Sequence, residues 1–204
     1  MLTAINYVSG PEIRKCTRIM PHLYLSCLVT SNQPAVLKNM GLVIRCRSNF
    51  EYDSEYVNRP NNSRRYMNDT GIKELVIIIG DRPSENIGKH FKNAISAIHS
   101  ARKNGINVLV HCDMGISRSS TLVLAYEIWL CAHSNARNIP ELSSFIASMK
   151  NKRSVIRPNY GFHKTLVNYR KSWINERNKI TPTLDNLMQQ VGRTISDKFR
   201  LVSS

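Results

Sequence analysis

Val108-Leu109-Val110-His111-Cys112-Asp113-Met114-Gly115-Ile116-Ser117-Arg118-Ser119-Ser120-Thr121 is the stretch that sets the architecture. A short apolar, β-branched run ends in a cysteine, five residues separate that cysteine from an arginine, and Leu122 to Leu130 continue as an apolar helix. The motif therefore sits at a strand-to-helix turn. A helix N-terminus there turns unpaired backbone N–H groups and the positive end of the helix dipole toward an anion.

Each residue type in the loop has a chemical reason. Asp113, Met114, Gly115, Ile116, Ser117 and Arg118 form a phosphate-binding loop whose successive N–H groups converge on one point, and Gly115 lets the backbone approach a ligand with no Cβ in the way. Cys112 lies at the base of that positive field. A thiol there is expected to fall from about 8.5 toward the roughly 3.5 to 7.5 range of activated cysteines, and so to rest as thiolate. Arg118 closes the loop with a planar fork that matches two phosphate oxygens. Ser119 is placed to hydrogen-bond the sulfur and help it leave again, and His111 to orient the loop through its ring nitrogens. The competing reading is a buried strand-end cysteine with an arginine on the next helix.

A covalent mechanism also needs a proton donor for the leaving oxygen. Leu75 to Ile79 is a second apolar run, and Gly80-Asp81-Arg82-Pro83 ends it in a loop. Ile87, Phe91, Ile95 and Ile98 follow at the spacing of one buried helical face. Asp81 is thus expected on a mobile loop at a strand end, as a general acid; the alternative is a plain Asp turn closed by Pro83.

Together these residues resemble the cysteine-dependent dual-specificity protein phosphatases, whose signature has the form HCxxGxSRS. Leu23-Tyr24-Leu25-Ser26 resembles an element near the start of that domain, and Asp69-Thr70-Gly71-Ile72 the segment leading to the acid-loop strand. Arg157-Pro158-Asn159-Tyr160-Gly161-Phe162 resembles the PN-x-x-F element beyond the loop. The resemblance covers roughly residues 16 to 173. It implies metal-free, cofactor-free two-step hydrolysis of phosphomonoesters on proteins, with Cys112 as nucleophile, Asp81 as acid and then base, Arg118 as oxyanion clamp and Asn159 supporting the loop. RNA 5′-phosphates and phosphoinositides are substrates of relatives in the same superfamily. The loop has the Ile116-Ser117-Arg118-Ser119 form of protein phosphatases and lacks the lysines of phosphoinositide-directed ones. A non-catalytic phospho-binding protein would be expected to lack Cys112, Arg118 or Asp81, and all three are present.

Leu42-Val43-Ile44-Arg45-Cys46-Arg47-Ser48 departs from the family pattern. Arg45 and Arg47 are read either as solvated surface arginines or as a second anion contact. In the related tumour-suppressor lipid phosphatase a cysteine at a similar place forms a disulfide with the catalytic one. The resemblance thus makes Cys46 a redox partner candidate for Cys112, against a plain buried thiol.

The five cysteines are Cys16, Cys27, Cys46, Cys112 and Cys131. Their odd number and irregular spacing fit a reducing compartment, cytoplasmic or nuclear, and no Cys/His cluster has metal-ligand spacing. The N-terminus lacks signal-peptide character, and no stretch approaches the roughly 18 apolar residues of a membrane span.

The 204 residues, 42% hydrophobic, suffice for one domain with a core. Strand-like runs at 42–46, 75–79 and 106–110 alternate with helical patterns at 34–40, 86–103, 119–133 and 140–150. The order is α/β, and the resemblance implies a mixed, mostly parallel central sheet, tyrosine-phosphatase-like, flanked by helices on both faces. The expected organisation is an extension (1–15), a catalytic domain (16–174) and a basic amphipathic tail (175–204) in which Leu184, Leu187, Met188, Val191, Ile195 and Phe199 recur at helical spacing. Packing on its own domain, dimerisation and membrane or partner contact are all open to that tail, and a dimer contact to the N-terminal residues. The net charge is +15, and nine of those excess charges fall in residues 150–204. Such a surface favours phosphorylated proteins, acidic partners or nucleic acid, with salt-sensitive binding.

Overall fold

The computed structural model describes residues 10–48, 69–134, 136 and 138–179. The polar loop at 58–63 and the amphipathic tail residues 184–199 lie outside the described residues.

Among the described residues five strands form one sheet: β1 (Thr17–Met20), β2 (Leu23–Cys27), β3 (Leu42–Arg47), β4 (Lys73–Ile78) and β5 (Val108–Cys112). Their order across the sheet is β1-β2-β5-β3-β4. β2, β5, β3 and β4 run parallel, and only β1 is antiparallel, as a hairpin partner of β2. The mixed, mostly parallel sheet is therefore as expected. The β1–β2 hairpin carries no long apolar run and went unread as strands in the sequence.

The helices are α1 (Leu28–Ser31), α2 (Pro34–Leu37), α3 (Phe91–Lys103, entered through a 3-10 turn at Ile87–His90), α4 (Arg118–Ala132), α5 (Leu142–Lys152) and α6 (160–179). Ile87, Phe91, Ile95 and Ile98 form the buried face at the start of α3, as their spacing predicts. α6 had no counterpart in the periodicity reading.

β5 is the central strand, buried at all five residues. A parallel strand covered on both faces needs a continuous apolar run rather than alternation, which is what Val108-Leu109-Val110 supplies. Successive side chains divide between two cores. Val108, Val110 and Cys112 join Leu23, Leu25, Ile44 and Cys46 in the larger core, together with residues of α3, α4, α5 and α6. Leu109 and Val43 join Leu37 and Met40 in a smaller core on the opposite face. α4 is buried at every position from Arg118 to Tyr126, which explains why its sequence is apolar without a polar face.

This topology brings the C-terminal ends of four parallel strands to one edge. The loops leaving β5 and β4 both emerge there, next to the start of α6, and open α/β sheets place their ligands at such an edge.

Candidate active site

Cys112 is the last residue of β5 and is 1% exposed. The chain then turns through residues 113–117 into α4. Gly115 adopts φ +64°, and a Cβ there would lie 2.3 Å from the backbone oxygen of Ser26. Only glycine fits that position, because both the left-handed backbone and the close approach of β2 exclude a side chain. The turn bends the Gly115 N–H back onto Cys112 Sγ at 3.2 Å, and Ser119 Oγ donates to the same sulfur from α4, also at 3.2 Å. Two donors directed at one sulfur stabilise it as an anion.

Arg118 opens α4 and is 4% exposed. Its Nη2 donates to the carboxylate of Asp113, its Nη1 to Ile79 O at 3.4 Å, and its Nε lies 3.9 Å from Asp81 Oδ2. The guanidinium therefore bridges the cysteine loop and the end of the Asp81 strand. Phosphate oxygens approaching the fork compete with Asp113 for it.

Asp81 lies just beyond β4 with its side chain 36% exposed. Sequence reasoning expects a mobile loop there; the carboxylate is instead pinned. Ser117 Oγ donates to Oδ1 at 2.6 Å, and Asn159 Nδ2 donates to the same oxygen at 2.8 Å. Both of these donors take Oδ1, while Oδ2 faces the Arg118 guanidinium across the phosphate loop.

Asn159 does more than brace the loop. It is the N-cap of α6: its Oδ1 accepts from Phe162 N–H at 3.0 Å, which satisfies one of the orphan donors of the helix. With Oδ1 committed, the amide nitrogen must face Asp81. Its backbone N–H also donates to Ser117 Oγ at 3.1 Å. The cap thus fixes the cysteine loop and the acid together. Behind the acid, Gly161 lies so close to Pro83 that a Cβ would meet Pro83 O at 1.9 Å, so the acid loop is seated directly on the first turn of α6.

His111 is buried, and its pKa is pushed down to about 3, first by burial and then by the Arg45 cation beside it. It is a neutral imidazole at ordinary pH. The expected orienting role of its ring nitrogens is not met, since neither has a hydrogen-bond partner of normal geometry among the described residues.

Both readings of Arg45 are corrected. Arg45 is 8% exposed on β3 and pairs with Glu74 on β4, Nε to Oε1 2.8 Å, so it is neither solvated nor an anion contact; it holds two strands together. Arg47 ends β3 half-buried.

Cys46 is buried on β3, one residue beyond the Arg45–His111 register pair. It shares the larger core with Cys112. Burial, and then the Cys112 sulfur, raise its thiol well above the ordinary range. On the other side, Cys27 stands in register with Cys112. All five cysteines are free.

Arg153, at the end of α5, was missed in the sequence although it is 0% exposed and hydrogen-bonds the backbone of Met114 and Gly115. An arginine among other basic residues carries no local signal of burial. No group of three metal-ligating side chains occurs among the described residues, and none of their helices is long and apolar enough to cross a membrane.

Residues 23–172 match the family described as "Dual specificity phosphatase, catalytic domain". A protein of Invertebrate iridescent virus 6 that carries the name tyrosine phosphatase 123R is 38% identical over 117 residues, 57% of this chain and 77% of that protein. Human dual specificity protein phosphatase 22 is 34% identical over 127 residues, 56% of this chain but only 62% of the human one. Among solved structures, human tyrosine phosphatase-like serine/threonine/tyrosine-interacting protein superposes with a TM-score of 0.63 at 26% identity, covering 79% of this chain and 99% of that one. The structure of DUSP15 superposes with a TM-score of 0.58, also at 26% identity, covering 78% and 95%. With a family match over most of its length and the cysteine, arginine and aspartate loops brought to one sheet edge, the chain belongs to the dual specificity phosphatase catalytic-domain family and is a phosphatase hydrolase.

Proposed function

We propose that the chain hydrolyses phosphotyrosine and phosphoserine/threonine on protein substrates through a cysteinyl-phosphate intermediate. One observation carries the reading: Cys112 Sγ is held by two donors inside a loop closed by Arg118, while Asp81 faces the same guanidinium from the neighbouring strand end.

Cys112 Sγ attacks phosphorus, and the bond from phosphorus to the substrate oxygen breaks. Asp81 gives its proton to that leaving oxygen. Arg118 and the loop N–H groups stabilise the charge on the equatorial oxygens, which gain most in the transition state. Asp81, now a carboxylate, takes a proton from water as that water attacks the phosphocysteine. The S–P bond breaks, and Ser119 Oγ–H supports the departing sulfur.

Support for protein substrates comes from the names of the relatives and from the Ile116-Ser117-Arg118-Ser119 loop form. The +15 charge favours acidic segments around the phosphorylated residue, and a mechanism that needs a free thiol supports a reducing compartment, cytoplasmic or nuclear. Cys112→Ser is expected to abolish turnover of an aryl phosphate and of phosphopeptides while still retaining phosphopeptides on a column. Substantial residual turnover would sink the assignment.

A further inference from the structure

Arg153 is the largest fully buried side chain among the described residues. Its guanidinium contacts six oxygens and no carboxylate. Nε donates to Gly115 O (3.0 Å), and Nη2 to Ile13 O (3.0 Å) and Met114 O (3.3 Å). Nη1 donates to Lys15 O (3.0 Å), Glu12 O (3.2 Å) and Thr17 Oγ1 (3.3 Å). Removing a cation from water without a counter-ion is costly, and burial does depress its pKa from the ordinary arginine value. The carbonyl dipoles of two chain segments offset that cost.

The two segments differ in kind. Met114 and Gly115 belong to the phosphate loop. Glu12, Ile13, Lys15 and Thr17 belong to a stretch that precedes the family match, which begins at residue 23. That stretch is fixed at further points: the Ile13 side chain is 6% exposed, and Thr30 Oγ1 donates to Arg14 O at 2.7 Å. Residues 10–17 thus form a strap laid under the loop and joined to it by one guanidinium.

The joint controls where the loop N–H groups point. In a planar trans peptide the C=O of one residue and the N–H of the next face opposite ways. Drawing Met114 O down to Arg153 therefore aims Gly115 N–H up at Cys112 Sγ, where it lies at 3.2 Å. Drawing Gly115 O down aims Ile116 N–H the same way. The backbone N–H of Arg157 does this for the next peptide by donating to Ile116 O at 2.8 Å.

We infer that Arg153 is a positioning residue for oxyanion recognition and that residues 10–17 act as its strap, so that phosphate affinity is set partly from outside the family domain. The inference deepens the phosphatase reading and rests on it. It requires the fork and not the charge alone, since a lysine has three donors on a point charge and cannot span both segments.

The test is tungstate affinity, measured by titration calorimetry on the full chain in a Cys112→Ser background, where no turnover is involved. Arg153→Lys and Arg153→Met are each expected to weaken tungstate about tenfold or more, corresponding to about 1.4 kcal/mol, with lysine giving no rescue. Ile13→Ala, which leaves Arg153 in place but loosens the strap, is expected to weaken it about threefold to tenfold. In the Cys112 enzyme the same changes raise KM for an aryl phosphate more than they lower kcat, the mark of lost phosphate binding. Tungstate affinity within twofold of the parent in folded Arg153→Lys, or full rescue by lysine of a loss seen with methionine, overturns the inference. Should the Arg153 variants not fold, unchanged affinity in Ile13→Ala and Thr17→Val overturns the strap, and weakened affinity in both supports it. A parent that binds no tungstate overturns the phosphatase reading as well, whereas a parent that binds it with variants unaffected overturns the positioning role alone.

Discussion

Gly161→Ala separates the acid from the phosphate loop without touching either. A Cβ at position 161 would lie 1.9 Å from Pro83 O, 2.6 Å from its carbonyl carbon and 2.7 Å from its Cα. All three atoms are backbone, so no rotamer change relieves the overlap. Ordinary contact begins at 3.4 Å, so the acid loop and α6 must part by about 1.5 Å. The helix is the fixed side, because Phe162 and Leu166 are each 0% exposed in the larger core. The loop yields, and Asp81, two residues before Pro83, moves with it and stretches its 2.6 and 2.8 Å hydrogen bonds. A misplacement of about 1 Å in a reacting group costs on the order of 10²-fold, or about 2.7 kcal/mol in the barrier. That loss falls on the step that needs the proton. We expect kcat/KM for alkyl phosphates and phosphoserine peptides to drop about 10²-fold, and for an aryl phosphate with an acidic phenol by less than tenfold. Tungstate affinity is expected to stay at the wild-type value, because residues 112–118 are not displaced. The assay is kcat/KM across phenols of graded acidity. An equal loss at both ends of the series, in a variant of normal melting temperature, would refute the reasoning.

Asp81→Asn is expected to lower turnover most for poor leaving groups, and equal loss on aryl and alkyl substrates would argue against its role as acid. Asn159→Ala removes the α6 cap and the 2.8 Å bond to Asp81 together; it is expected to cost about 1 kcal/mol of stability by denaturant titration and to steepen the leaving-group dependence, and a flat dependence would place the residue outside the acid's support. Peroxide is expected to oxidise Cys112 to the sulfenic acid, whose sulfur then bonds Cys46 with loss of water; a peptide map showing Cys112 only as sulfinic acid, or paired with Cys27, would reject Cys46 as its partner. His111, at about 3 folded against 6.5 unfolded, gains its proton on unfolding and costs stability as pH falls below about 6.5, while Glu127, raised to about 7 from 4.5 chiefly by burial, loses stability as pH rises between 4.5 and 7. The two slopes oppose each other, so in urea titrations wild-type stability is expected to stay nearly level between pH 6 and 5, while Glu127→Gln, which keeps only the His111 slope, loses about 1.2 kcal/mol over that unit relative to wild type; parallel curves would reject a raised Glu127, and a level Glu127→Gln curve would reject a neutral buried His111.

The parts of the site legible in the sequence are those whose chemistry is local. Cys112, Gly115, Arg118 and Ser119 lie within eight residues of one another, so a strand-to-helix turn brings them together whatever the rest of the chain does. Asp81 could be read because its strand ends in a loop and parallel strands share an edge. The support beneath these residues is non-local and left no such mark. Ser117 reads as one more loop residue, yet it carries the hydrogen bond to Asp81. Arg45 reads as surface charge because nothing near it in sequence announces Glu74 across the strand pair. The β1–β2 hairpin was unread because Thr17–Met20 is only four residues long. α6 is a different case: Phe162, Leu166, Tyr169 and Trp173 recur at helical spacing and pack on the larger core, a periodic signal that was in the sequence. A group buried for its hydrogen bonds rather than for its apolar surface has no periodicity to betray it, since polar satisfaction depends on partners that folding brings from afar. Arg153 is the extreme case, reaching partners up to 141 residues away in sequence. The nucleophile and phosphate cradle of this enzyme are therefore written in one short segment, while three distant ones complete the site: the acid loop after β4 brings the proton donor, and the strap before β1 and the cap of α6 hold the geometry. A substitution in any of the three is expected to change rate or affinity while leaving the signature intact, so the signature alone does not measure how well this phosphatase works.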